Sequence, residues 1–455
     1  MDSTLACLAA WMPRQRWYAA KGRPPSLRLI SWWDFPADDQ DARVRTYLVA
    51  DEGALPVVLY QVPVVARPTT TVTASGAHVI GSPEPGTTFI DGPHDPAYVG
   101  ALMGLVLGGG TVSGPHATAT GHPLVAADDD EGPVSAHVLN GEQSNTSLIA
   151  PATASRPAVI CKIFRQVNQG RNPDIELQTA LAGAGSPHIA PAVGWVEGTW
   201  LDPGAAQQTV GGSLAFAQRF FSGVEDAWRV ALRAAADGTP FDREAHALGR
   251  ATADVHLSLA HLFPTRPAEP RDVDGFAETW RRRLSIALAE VPAIAERRTA
   301  IEAVYARASS ARPTLQRIHG DYHLGQVLHT ENGWVLLDFE GEPMRPIRER
   351  VRPDAALRDV AGMLRSFDYV AGSIRLDDPA RPAAAVRAWV DAARAAFLAG
   401  YAEATGDPLD ADDPLLAALE LDKAVYEAIY EARNRPTWVT IPLRAIGRLA
   451  ATHPA

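Results

Sequence analysis

Residues 317–328 read RIHGDYHLGQVL, so His319 and His323 stand on either side of Asp321, and an amide, Gln326, follows the aspartate after four intervening residues. Shortly after comes NGWVLLDFEGEP at 332–343, which reads as a turn, an apolar strand, and then Asp338-Phe339-Glu340 at the strand end. Three chemistries compete for this stretch. Two histidines four apart occur in helical zinc sites. Here Gly320 and Gly325 favour a loop, and neither a cysteine nor a third histidine stands at a ligand spacing. The bland alternative is a polar loop with satisfied histidines. The third is phosphoryl transfer. Its template has a loop aspartate that accepts the hydroxyl proton, an amide on Mg²⁺, and a later D-F-x aspartate on the same metal. His319-Gly320-Asp321, Gln326 and Asp338-Phe339 fill that pattern, with Gln where Asn is usual and Glu340 where Gly is usual. Hard Mg²⁺ prefers the oxygens of an amide and a carboxylate. The acceptor hydroxyl needs a separate base, which Asp321 provides.

Such a site needs a strand lysine for the nucleotide phosphates and a helix glutamate to orient it. AVICKIFRQV supplies Lys162 on an apolar strand, and NPDIELQTAL supplies Glu176 in a helix that has Pro173 at an early position. A glycine-rich G-x-G-x-x-G does not precede Lys162. The corresponding stretch, LNGEQSNTSLIA (139–150), offers Ser144 and Asn145, followed by Thr146 and Ser147, to cover phosphates. In FAQRFFSGVEDAW (216–228), the backbone of Gln218 and Phe220 is expected at the adenine edge, and Asp226 at the ribose or in a solvated loop.

The elements that must position these groups fall into three stretches. Residues 1–92 alternate a helix starting near Ser3 with β-type runs at 27–35, 45–50 and 56–65, a small α+β cap. Residues 93–220 hold a short helix ending in glycines, an acidic loop at 126–133, and strands of a second sheet, the expected intermediate part and β-rich N-lobe. Residues 221–455 turn to amphipathic helices, the expected helical C-lobe. In the last long helix, Asp413 is the expected N-cap with Pro414 in the first turn. Glu420, Lys423, Glu427 and Glu431 share one arc, expected to face water or a cleft, while Leu421, Val425 and Ile429 share the packed arc. Tyr426 and Tyr430 flank the charged arc, and ARNRPTW follows. Carboxylates with aromatics suit a sugar.

With 455 residues, two or three structural units are expected. Apolar residues make up 46% and charged residues 21%, a globular balance. The formal net charge of −11 argues against nucleic acid, though not against a phosphorylated ligand. Cys7 and Cys161 do not make a disulfide framework, and a reducing cytosol fits. Asp2 stands where a signal peptide carries a cation, and no run reaches the ~20 apolar residues of a membrane helix. The expectation is a cytoplasmic protein that does not engage a membrane.

At these residues the chain resembles the bacterial maltokinases, of the aminoglycoside-phosphotransferase and eukaryotic-like kinase superfamily. The resemblance runs through WMPRQRWYAAKGR (11–23), IHGDYHLGQVL, LLDFEGEP, LRDVAGMLRSFDY (357–369) and ELDKAVYEAIYEARNRPTWVTIPL (420–443). It implies an α+β, bilobal, protein-kinase-like fold with an N-terminal cap. It implies transfer of the ATP γ-phosphate to the anomeric hydroxyl of maltose, giving maltose 1-phosphate for α-glucan synthesis from trehalose. By this resemblance Asp321 is the base, Gln326 and Asp338 hold Mg²⁺, and His319 and Asp359 brace the loop. The candidate sugar contacts are His323, Glu427, Tyr430, Glu431 and Arg433. A monomer is expected, with enzymes of the trehalose and maltose route as a possible partner class. Three alternatives stand beside this reading. They are a kinase for glucosamine, another small sugar or an aminoglycoside; a metal-dependent hydrolase built on His319, Asp321 and His323; and a regulatory pseudokinase.

Overall fold

The structure is a computed structural model that describes residues 3–36, 39–72, 76–125, 134–139, 145–205, 208–342, 347–410 and 412–451. Ser144 and the acidic loop at 126–133 lie outside the described residues. The chain divides into two compact units: Met1–Glu176 with Ala190–Ser222, and Leu177–Ile189 with Gly223–Ala455.

The first unit contains two antiparallel sheets. One runs in the order Leu27–Phe35, Arg43–Asp51, Val58–Pro68, Thr87–Asp91, Val79–Glu84. β-Branched and aromatic residues crowd these strands, and their inward side chains pack around Trp11, Tyr18 and Tyr60. The other sheet has seven strands, with Val159–Phe164 between Thr209–Arg219 and Asn145–Ala150. In Val159–Phe164 the two-residue period sends Val159, Cys161 and Ile163 into the core and leaves Lys162 on the opposite, half-buried face. The expected cap and the β-rich stretch after it fall in this one unit because they share buried polar contacts. Gln61 donates through its side-chain amide to the carbonyls of Phe164 and Leu214, at 2.7 and 2.5 Å. The fully buried Arg165 pairs with Asp91 at 2.7 Å.

The second unit is mainly helical. Its long helices are Asp242–Leu262, Pro270–Glu290, Leu357–Asp377, Ala383–Thr405 and Pro414–Asn434. Residues 177–189 belong here because Leu177, Leu181 and Ile189 bury their side chains in this unit's core. Asp413 caps the Pro414–Asn434 helix, its Oδ1 accepting from the N–H groups of Leu415 and Leu416 at 2.9 and 2.8 Å. A three-stranded sheet of Glu225–Asp226, Val327–Thr330 and Gly333–Leu336 follows the 317–326 loop and delivers Asp338 at its end. The Leu357–Asp377 helix can lie against that loop because residue 362 is glycine. A Cβ there would stand 2.5 Å from the Tyr322 carbonyl oxygen. Among the described residues, no helix is long and apolar enough to cross a membrane.

Candidate functional site

The loop 317–326 is shaped by one buried carboxylate. Asp359, in the first turn of the Leu357–Asp377 helix, accepts the His319 N–H through Oδ2 at 2.8 Å and the Gly320 N–H through Oδ1 at 2.9 Å. The His256 Nε2–H adds a third bond to Oδ2 at 3.1 Å. Burial pushes the Asp359 carboxyl up, but the hydrogen bond and charge of His256, with the Gly320 N–H, hold it below the usual range. Gly320 sits at φ +85°, where a side chain would be strained, so the chain turns there to present Asp321. His319 donates from Nε2 to the Leu337 carbonyl at 2.7 Å, and its Nδ1 accepts the Asp321 N–H at 3.4 Å. Both ring nitrogens are thus engaged, which removes the first ligand of the zinc-hydrolase reading.

Asp321 meets a cation that the site-residue reading passed over. The Lys423 Nζ lies 3.3 Å from Asp321 Oδ1 and also 3.3 Å from Glu342 Oε1. Burial favours loss of the lysine proton, but the carboxylates of Glu342, Asp321 and Glu427 outweigh it and raise its pKa. Gln326 donates from Nε2 to Asp338 Oδ2 at 3.0 Å. Asp338 has φ +65°, a left-handed conformation rare for a residue with a side chain and found mostly where a site holds it. Asp338 and Glu340 each offer a carboxylate oxygen within 4.8 Å of the other. Two carboxylates and an amide make an all-oxygen donor set, so these residues fit a hard divalent cation. His323 accepts the Gly325 N–H on Nδ1 at 3.0 Å and caps the turn Leu324–Gln326. Burial lowers its pKa, in keeping with a neutral ring that accepts there.

In the first unit, Lys162 Nζ stands 3.2 Å from Asp174 Oδ2, and that carboxylate is 1% exposed. Sequence reasoning chose Glu176 from the same helical turn; Asp174 reads from sequence only as a first-turn acid. Asn145 opens the strand Asn145–Ala150 and pairs in register with Phe164. Gln218 lies in register with Ile160 and Ala192. The Phe220 N–H donates to the Ala158 carbonyl at 2.7 Å. That N–H is therefore engaged, and an adenine contact from the Phe220 backbone falls to its carbonyl. Asp226, expected at a ribose or in a solvated loop, caps the helix Ala227–Asp237, accepting the Arg229 N–H at 2.8 Å.

The largest correction concerns the charged arc of Pro414–Asn434, whose three glutamates, Glu420, Glu427 and Glu431, are buried, while Lys423 is partly buried. Glu420 and Glu431 are 2% and 1% exposed. Glu420 takes both guanidinium nitrogens of Arg394 at 2.9 Å and one of Arg448 at 2.9 Å. Glu427 Oε2 accepts from Arg365 at 2.9 and 2.7 Å. Glu431 accepts the Tyr369 hydroxyl at 2.9 Å and pairs with Arg435. Apart from Arg435, which caps the same helix, neighbouring helices bring these partners, and sequence periodicity cannot see them. Tyr430 is exposed, and Arg433 pairs with Glu290 at 2.5 Å.

Beside this helix the second unit holds a cleft of about 750 Å³. Glu342, Tyr426, Arg283, Arg358 and Phe276 line it, and of the five expected sugar contacts only Arg433 does. Six arginines stand against four carboxylates in the wall. Asp321 is thus linked through Lys423 to Glu342, which lines this cleft of the helical unit.

Residues 11–95 match the maltokinase N-terminal cap domain, and residues 170–421 match the phosphotransferase enzyme family. A glucosamine kinase of Streptacidiphilus jiangxiensis is 38% identical over 205 residues, which cover 43% of this chain and 46% of that protein. A glucosamine kinase of Mycolicibacterium smegmatis is 33% identical over 214 residues, covering 45% and 52%. The chain thus spans about half the length of the curated relatives it matches. A solved glucosamine kinase in complex with glucosamine, ADP and inorganic phosphate superposes with a TM-score of 0.67 at 25% identity, covering 98% of each chain.

Proposed function

This chain belongs to the phosphotransferase enzyme family, and on that premise we propose that it is an ATP-dependent sugar kinase whose acceptor is the anomeric hydroxyl of maltose. The observation that carries the proposal is the placement of Asp321. It sits on a loop clamped by the buried Asp359 and is bridged by Lys423 to Glu342 in the wall of the cleft.

Asp321 orients the sugar hydroxyl and takes its proton as the sugar oxygen bonds to the γ-phosphorus. The bond from that phosphorus to the β-bridging oxygen breaks, and ADP leaves. Lys162, steadied by Asp174, neutralises phosphate charge on the nucleotide. Gln326 and Asp338 would hold Mg²⁺, which spreads the charge of the transferred group when bound. Because Asp174 is a carboxylate paired with Lys162 at 3.2 Å, Asp174→Asn should raise the KM for ATP about ten-fold, the scale of one charge-assisted hydrogen bond. The KM for sugar should change little. Steady-state kinetics on Asp174→Asn and Glu176→Gln in parallel measure this, and an effect confined to Glu176→Gln would return the role to that residue.

Two features favour maltose. The cap match carries the maltokinase description. The cleft is roomy for a single sugar ring, and its excess of arginine suits neutral hydroxyls better than a protonated amine. The similarity to glucosamine kinases supports a second reading, with glucosamine as acceptor. A sugar panel with ATP and Mg²⁺ separates them. Maltose should be phosphorylated with a kcat/KM at least about ten-fold above that of glucosamine, one hydrogen bond's worth of discrimination. Transfer to glucosamine with maltose at background would reverse the assignment and leave the kinase reading in place.

A further inference from the structure

Phosphoryl transfer explains Asp321 but gives no task to the ammonium that touches it. We infer that Lys423 restrains Asp321 while the cleft holds no sugar, and so ties phosphoryl transfer to the presence of the sugar acceptor. This rests on the kinase reading. Lys423 is equidistant, at 3.3 Å, from the proposed base and from Glu342 in the cleft wall. Its Nζ also lies 5.5 Å from the ring centroid of Tyr426, which lines the same cleft. The cation therefore contacts both the reacting centre and two groups that an incoming sugar would meet. The helix that carries it is buried along most of its length, and the two carboxylate contacts hold the partly buried ammonium between them.

A carboxylate paired with an ammonium is a weaker base and is less free to turn toward water. A sugar in the cleft offers hydroxyls that donate to Glu342 and accept from Lys423. The ammonium then has a new partner, and Asp321 is released to take the C1 hydroxyl proton. With no sugar present, the competing acceptor is water. In that reaction the water oxygen bonds to the γ-phosphorus and the bond to the β-bridging oxygen breaks. The water proton passes to Asp321 and on to solvent, leaving ADP and inorganic phosphate. Lys423 opposes this transfer by occupying Asp321. An ion pair that only supports the fold would affect transfer to sugar and transfer to water alike, so the ratio of the two rates tests the role.

The experiment compares the wild-type chain with Lys423→Met and Lys423→Arg. It measures ADP release without sugar and sugar phosphate formation with maltose, and with glucosamine in a parallel arm. Lys423→Met should raise the ratio of hydrolysis to sugar phosphorylation about ten-fold, the factor that one charged hydrogen bond carries. Lys423→Arg should return the ratio toward the wild-type value. Glu342→Gln supplies an arm of opposite sign that does not depend on the folding of Lys423→Met. With its cleft-side partner weakened, the ammonium should hold Asp321 more tightly, lowering hydrolysis and raising the KM for sugar. An unchanged ratio in Lys423→Met, or faster ADP release without sugar in Glu342→Gln, overturns the inference alone. A wild-type chain that forms no sugar phosphate overturns the kinase reading and the inference with it.

Discussion

Asp321→Asn should lower kcat by about 10²–10⁴-fold, the range that loss of a positioned general base produces. The substitution is isosteric, and the amide oxygen can still accept from Lys423, so the loop should keep its shape. Its N–H clamp is made by Asp359 and does not involve the Asp321 side chain. Nucleotide affinity should therefore change little, because Asp321 is assigned to the acceptor. Two measurements separate a lost base from a lost fold: calorimetric ATP binding and the thermal midpoint, both expected near wild type. A variant that turns over within ten-fold of wild type would place proton acceptance elsewhere and reduce Asp321 to an orienting group.

The second large effect is on stability. Glu420→Gln should destabilise the chain by about 3 kcal/mol, the low end of what breaking a buried ion pair costs. The estimate is at the low end because Asp368 still pairs with Arg448 at 2.7 Å and lies 3.7 Å from Arg394. Burial pushes the Glu420 carboxyl up, but the charges and hydrogen bonds of Arg394 and Arg448 win and bring it down from 4.5 to about 2. A pKa depressed in the folded state means that the group stabilises the fold fully above 4.5. That contribution fades as pH falls from 4.5 toward about 2. The gap in urea midpoint between wild type and Glu420→Gln should thus be widest near pH 7 and narrower at pH 4. A gap that stays constant or grows on acidification would show that the carboxylate is not held ionised by its arginines.

Local chemistry carried far in this chain. The strand Leu27–Phe35 was legible as an apolar, aromatic-rich run bounded by turn residues. The helix Pro414–Asn434 was legible from its apolar period and its Asp413 cap. The H-G-D loop and the Asp338 strand end announced a phosphoryl-transfer layout because those residue types recur at short range. Other features had no local signal. His256 reaches Asp359 across 103 positions, and nothing in its own helix distinguishes it from the neighbouring His246 and His261. Asp174 and Glu176 look equivalent in sequence, and only the fold sets the Asp174 carboxylate 3.2 Å from the Lys162 ammonium.

The sequence alone therefore determined the class of chemistry, the order of the elements and the residues of the short loops, because periodicity, caps and turn conformations depend on near neighbours along the chain. The tertiary structure alone decided that the glutamates of the charged arc of the last long helix are buried, that Lys423 bridges Asp321 and Glu342, and where the cleft lies. Those outcomes depend on arginines and carboxylates brought together from tens to more than a hundred positions apart. Whether a charge is solvated or paired is a property of what packs against it, and no single stretch of sequence contains its own packing partner.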